Sequence, residues 1–263
     1  MKRIIIALIA AAMALTAVSC EKSGKTQKKS AEETQTKNMS EYEAEKRGSM
    51  KERAMDEAFE KADMTAQQID KYDIPEDWKE LSFKGISMSV PSDVEASEGF
   101  TGSEEYRNPS GTVHIIPWAG YTWDEGFGGD EDFPEITDEK VRNAFSELGI
   151  GYDGTRLSFY RAVLALTGSS RTDENADAFE TAVLAKGIEF SNVAEVFVTE
   201  SDGHPIYING LYNEAEMEEE DTEKYRTSFS ASIFADENTE YTVMIFAGSM
   251  SEALKMASSI KII

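Results

Sequence analysis

Leu81-Ser-Phe-Lys-Gly-Ile-Ser-Met-Ser-Val-Pro-Ser-Asp-Val94 is the stretch on which the fold turns. Apolar residues stand at 81 and 83 and again at 86, 88 and 90, with Ser or Lys between them. A period of two is the signature of a strand with one buried face, because successive side chains point to opposite sides. The parity slips by one at Lys84-Gly85, which marks a bulge or a turn, and Pro91 ends the run.

The segments on either side repeat this logic. Glu104–Arg107 and Thr112–Trp118 flank Asn108-Pro-Ser-Gly111, a turn composition, and predict a hairpin. In the last third, residues 192–200 and 205–212 are joined across Ser201-Asp-Gly-His204, and 227–234 and 239–247 across Ala235-Asp-Glu-Asn238, giving two antiparallel hairpins. Between them the period changes. Thr137 or Asp138 caps a helix through Leu148, with Val141, Ala144, Phe145 and Leu148 on one side and Gly149 as its stop. Further helices are expected over about 155–166 and 174–186, and Ser249 or Ser251 caps a last one with Leu254, Ala257 and Ser258 toward the sheet, followed by Ile260, Ile262 and Ile263. Strands with helices before and after them predict an α+β fold, an antiparallel β-sheet covered by helices.

LSFKGISMSVPSDV at the start, and the two long hairpins followed by SEALKMASSIKII at the end, resemble the first strand and the closing helix of Mog1/PsbP-like domains. The resemblance covers about residues 79–263, interrupted by the helical part from about 137 to 187. It implies the fold of that superfamily, whose members include photosystem-associated and transport-associated accessory proteins and many bacterial lipoproteins. It implies no shared catalytic residues.

The N-terminus has a different character. Lys2 and Arg3 precede an uncharged, mostly apolar run from Ile4 to Val18, the layout of a secretory signal. At about fifteen residues the run is shorter than the roughly twenty that a membrane span needs. Ala17-Val18-Ser19-Cys20 then resembles the lipobox of bacterial lipoproteins, with Ala17 where Leu is more usual. That resemblance implies cleavage before Cys20, a diacylglycerol on its sulfur and an acyl chain on its amine. Several acyl chains on one residue give lasting membrane attachment. Cys20 is the only cysteine of the chain, so a disulfide within it is excluded. The alternative is a secreted protein in which Cys20 is a buried free thiol. Gly24-Lys25-Thr26 looks like the end of a phosphate-binding loop, but Ser19 stands where the first glycine belongs.

Residues 1–19 are therefore expected to be a signal, and 20–40 a flexible tether, too poor in apolar residues to order itself and spanning roughly 25 Å on average. Residues 41–76 are expected to form a helical stalk. Tyr42, Met55, Ala58, Phe59 and Ala62 share one helix face, packed on the domain or solvated, and Thr65 caps a second short helix through Tyr72. Residues 77–263 form the acidic α+β domain. Residues 21–61 hold 10 Lys+Arg against 10 Asp+Glu, which, with Lys2 and Arg3 removed in the signal, leaves 14 basic and 40 acidic residues and a net charge of −26 over 62–263. Such a domain is repelled by phosphate backbones and anionic head groups, which argues against nucleic-acid binding, and a basic protein or cationic ligand suits it better.

The chemistry offered by the side chains is limited. With Cys20 acylated, thiol catalysis is not expected. The only histidines are His114, inside an apolar strand, and His204, in a hairpin turn, and neither stands in a nucleophile elbow or a zinc-binding pattern. Asp173-x-Asn175-x-Asp177 starts like an EF-hand loop but has Ala178 and Leu184 where Gly and Glu are required. A calcium site is conceivable in one place, where the Gly-rich loop brings Asp124, Glu125, Asp130, Glu131 and Asp132 together. Trp118, Tyr121, Trp123 and Phe127 lie beside those acids, and either plug the end of the core or present an interaction surface of aromatic anchors. No cofactor other than the covalent lipid on Cys20 is expected. These features together predict a lipid-anchored, non-enzymatic accessory or binding protein of the bacterial cell envelope. The alternatives are an envelope hydrolase using acidic residues and a calcium-responsive structural module.

Overall fold

The computed structural model describes residues 55–98, 104–123, 126–128, 133–134, 136–211 and 227–263. The chain divides into Met1–Arg47 and Gly48–Ile263, and every described residue belongs to the second unit. Residues 55–60 are helical. The strands that follow are β1 (Ala66–Gln68), β2 (Lys79–Phe83), β3 (Ile86–Val90), β4 (Glu95–Glu98), β5 (Glu104–Arg107), β6 (Val113–Pro117) and β7 (Tyr121–Thr122). Helices α1 (Asp138–Glu147), α2 (Arg156–Ala165) and α3 (Ala176–Glu189) come next, then β8 (Val193–Ser201), β9 (His204–Leu211), β10 (Thr227–Phe234), β11 (Thr239–Ala247), α4 (Met250–Ser258) and β12 (Lys261–Ile262).

Nine strands form one sheet in the order β1-β8-β9-β10-β11-β6-β5-β4, with β7 pairing β11, and β12-β3-β2 form a second, smaller sheet. Among the described pairs, β1 with β8 is parallel and the rest are antiparallel. Strand alternation sorts the large sheet's side chains into two cores. On β9, Ile206 and Ile208 face α4 and the small sheet, where they meet Met88, Val90 and Leu254, whereas Tyr207 faces α1–α3 with Phe145, Phe159 and Phe179. Helices on one face, and a helix plus a small sheet on the other, make this an α+β layer structure with an antiparallel-dominated sheet. Among the described residues no helix is long and apolar enough to cross a membrane.

The opening stretch is two strands. Phe83 pairs with Ile86, so Lys84-Gly85 is a two-residue hairpin loop. Both have positive φ, 49° and 92°, as a type I′ turn requires. The parity slip is thus the loop itself, and it keeps Phe83 and Ile86 on the same buried face. The turn is held from three sides: Lys84 Nζ donates to Pro117 O at 3.0 Å, Ile263 N donates to Gly85 O at 3.0 Å, and a Cβ on Gly85 would lie 3.0 Å from Tyr241 Oη. Two helix starts follow expected caps, Thr137 and Ser249, and Thr155 caps a third, each accepting from the backbone N–H three residues on.

One expectation is overturned. Thr65 does not cap a helix through Tyr72: Ala66–Gln68 is β1, paired residue for residue with Val196–Val198 of β8. The backbone groups of Ala66-Gln-Gln are satisfied by a strand far away in sequence, and this tertiary pairing overrides the local helical preference. Ala58 and Ala62 are buried in the helix-side core, so the chain belongs to the folded unit well before residue 77. The boundary between a helical stalk at 41–76 and a domain starting at 77 shifts accordingly.

Candidate functional site

Cys20 and the acidic residues Asp124, Glu125, Asp130, Glu131 and Asp132 lie outside the described residues. Of the four aromatic residues beside those acids, the fold brings two to one buried ring and places the other two elsewhere. Phe127 is 6% exposed, with its ring 5.1 Å from that of Phe159, and Trp123 is half-buried, 5.5 Å from the same ring. Tyr121, on β7, is 50% exposed. Trp118 is half-buried, and its N–H donates to Thr242 O at 2.9 Å. Phe127 is fixed by its own backbone, because its N–H donates to Asp138 Oδ1 at 2.9 Å. A Cβ at Gly126 would come within 2.4 Å of that oxygen, so glycine is what lets the loop approach. Asp138 also accepts from Tyr152 and Arg142. Its burial alone would raise its pKa, but these bonds hold it below the ordinary carboxylate value.

Behind Trp123 two carboxylates converge. The Arg156 guanidinium makes a two-pronged bond to Glu189, at 2.8 and 2.7 Å, and its Nε donates to Glu240 at 2.6 Å. Trp123 and Tyr160 lie over it at 4.9 and 5.2 Å from their ring centroids. Arg156 opens α2, Glu189 ends α3 and Glu240 stands on β11, so one cation ties two helices to the sheet. Burial disfavours that charge, but the two carboxylates reverse the balance and push the Arg156 pKa well up. Tyr160 is driven up by burial and by the same two negative charges, and it accepts from Asn209 Nδ2 at 2.6 Å. The planar fork of arginine matches this geometry, and one guanidinium is shared between the two acids.

A second cluster lies on the helix-side face of β5, β6 and β11. His114 Nε2 is 2.8 Å from Glu105 Oε2, which also accepts from Arg107 at 3.0 Å, and the imidazole stacks on Phe246 with centroids 5.4 Å apart. Burial pushes the Glu105 carboxyl up, but the hydrogen bonds from His114 and Arg107 outweigh it and leave it below the ordinary range. A carboxylate orienting an imidazole is the acid–base half of a hydrolytic site. The serine on the same cross-strand row is Ser228, which pairs with Phe246, which in turn pairs with His114. Two strand spacings, about 10 Å, separate that serine from the histidine, and the Phe246 ring occupies the position between them. His204 has a partner too, its Nδ1 being 2.9 Å from Phe234 O. Among the described residues no group of three or more His, Cys, Asp or Glu is placed to hold a metal ion.

The third charged feature is Lys186 on α3, fully buried. Its ammonium donates to three backbone carbonyls, Ala62 O at 2.8 Å, Met64 O at 2.6 Å and Leu166 O at 2.8 Å. Burial lowers its pKa from 10.5 to about 8, with Asp63 opposing the shift.

Sequence reading did not single out Arg156, Glu189, Glu240, Lys186 or Glu105. For Lys186 a signal exists, since it follows Ala182-Val-Leu-Ala185, four consecutive residues that are all buried. A cation inside an all-round apolar helix segment must find acceptors. For the others, nothing local distinguishes a buried acid from a solvated one.

No family model matches the chain, and no curated protein matches it. Solved structures do align with it. A Bacteroides thetaiotaomicron protein, known from a crystal structure at 1.50 Å, shares 13% identity at a TM-score of 0.31 over 71% of this chain and 49% of its own. This chain therefore spans about half the length of that protein. The solution structure of cyanobacterial PsbP (CyanoP) from Synechocystis aligns over 74% of this chain and 98% of its own, at 8% identity and a TM-score of 0.34.

Proposed function

We propose that this protein is a lipid-anchored, non-enzymatic accessory or binding protein of the bacterial cell envelope, held at the membrane through Cys20. The observation that carries the reading is the sequence Ala17-Val18-Ser19-Cys20, placed directly after a charged start and an apolar run, in a chain with no other cysteine. The charge distribution supports a partner that is a basic protein or a cationic ligand, since residues 62–263 carry a net −26. The non-enzymatic part is supported by how the buried charges are used: Arg156 closes on Glu189 and Glu240, and Lys186 on three carbonyls. Fractionation of cells expressing the Cys20→Ala chain tests the anchor. Movement from the membrane to the soluble fraction is expected, and retention in the membrane refutes it.

A second reading, an envelope hydrolase using acidic residues, is favoured by the Glu105–His114 pair. It predicts a hydrolytic activity that His114→Gln abolishes without lowering the melting temperature. Calcium binding by Asp124, Glu125, Asp130, Glu131 and Asp132 predicts a melting temperature that rises when calcium is added and falls back with a chelator.

A further inference from the structure

Residues 58–69, which lead into the sheet, are attached by small apolar contacts, including the Phe59 ring 6.0 Å from that of Phe179, and by a set of polar ones. Ala58 and Ala62 are fully buried, but Ala66 is half-buried and Gln67 and Gln68 are exposed. β1 adds three residues to the edge of β8, extended by Ile69 N donating to Val198 O at 2.9 Å. The remaining attachments are charges on backbone. Lys186 holds Ala62 O and Met64 O, Lys61 Nζ donates to Phe190 O at 2.6 Å and Ser191 O at 2.5 Å, and Asp63 accepts from Gly168 N at 2.8 Å. Close approach is allowed by Gly187, where a Cβ would lie 2.5 Å from that of Ala58.

The distribution of these contacts decides what happens when one fails. If the Lys186 ammonium is removed, the carbonyls of Ala62 and Met64 lose a donor inside the protein. They regain one from water only if the segment that carries them lifts away. The segment sits at the margin of the cores: Ala58 and Ala62 enter the helix-side core and Met64, Ala66 and Ile69 pack against the two cores, while most of the sheet side chains of β8–β11 are covered by α1–α4 and the small sheet. Local opening of this segment is therefore easier than opening of the whole domain.

We propose that residues 58–69 are a releasable strap, latched by Lys186 and fitted to α3 at Gly187, which holds reserve tether length between the membrane anchor and the domain. The tether role rests on the anchoring reading above, while the strap itself does not. Released and extended, its residues add up to about 40 Å of reach.

Hydrogen exchange on the full chain in detergent, compared with Lys186→Met and Gly187→Ala, tests the strap. Alanine suits a helix interior better than glycine, so Gly187→Ala removes the fit to Ala58 without weakening α3. The expected result is exchange at least tenfold faster at the Ile69 amide and along β1, with β10 and β11 unchanged within about twofold. Selective loss in either variant supports the strap. Unchanged strap protection in both variants overturns it, as does equal loss in the strap and in β10–β11 in both. Failure of the anchor reading would show separately, as full chain recovered in the soluble fraction with the exchange pattern intact.

Discussion

Gly85 carries two loads that a pair of substitutions can separate. Its φ of 92° is a conformation that costs an L-residue about 1–2 kcal/mol. A Cβ there would also lie 3.0 Å from Tyr241 Oη and 3.1 Å from Cε1, and displacing a packed ring costs about 1–3 kcal/mol. Gly85→Ala is thus expected to destabilise the domain by about 2–5 kcal/mol. Gly120 meets the same ring, with a Cβ position 2.8 Å from Tyr241 Cε1, but has no positive φ, so Gly120→Ala should cost about 1–3 kcal/mol from the clash alone. Equilibrium unfolding in urea, repeated in a Tyr241→Ala background, separates the two effects. Without the ring, Gly120→Ala should fall to within about 0.5 kcal/mol of neutral, while Gly85→Ala keeps about 1–2 kcal/mol. If Gly85→Ala becomes neutral in that background, the left-handed turn is not what the glycine supplies. If Gly120→Ala costs the same in both backgrounds, Tyr241 is not the obstacle.

Arg156→Leu leaves Glu189 and Glu240 buried without their cation and is expected to cost about 3–5 kcal/mol, with Glu189→Gln or Glu240→Gln recovering part of it in thermal denaturation. For Lys186, burial sets the folded-state pKa at about 8 against an ordinary 10.5, so between those values the unfolded chain binds the extra proton. Stability is then expected to rise with pH across that window by up to about 3 kcal/mol, a rise that urea midpoints should show and Lys186→Met should lack.

The strands of the two long hairpins were legible because each carries its own alternation and each turn its own composition. Residues 192–200 and 205–212, read from the sequence, fall within a residue or two of β8 and β9. β1 was not legible. Ala66-Gln-Gln has no apolar pattern, and what makes it a strand is Val196–Val198, about 130 residues away. The same limit hid the Arg156 cluster, whose carboxylates lie 33 and 84 residues from the arginine in a chain with 50 acidic residues. Composition showed that acids are plentiful but not which two would be enclosed. Trp123 and Phe127 could be narrowed to two roles, a core plug or a binding surface, because an aromatic next to acids suits both. Only their distances to Phe159 place them against the helix-side core.

The strap also bears on the order of folding. Lys61 meets Phe190 across 129 residues, and Lys186 meets Ala62 across 124. Closing a loop of that length costs about 4 kcal/mol in chain entropy before any contact repays it. The segment is made before its partners exist, and a nascent chain that has not yet reached Lys186 has nothing to hold it. Residues that emerge early in synthesis are therefore among the last to be fixed. Until α3 and β8 arrive, residues 58–69 have neither the strand nor the ammonium that will hold them.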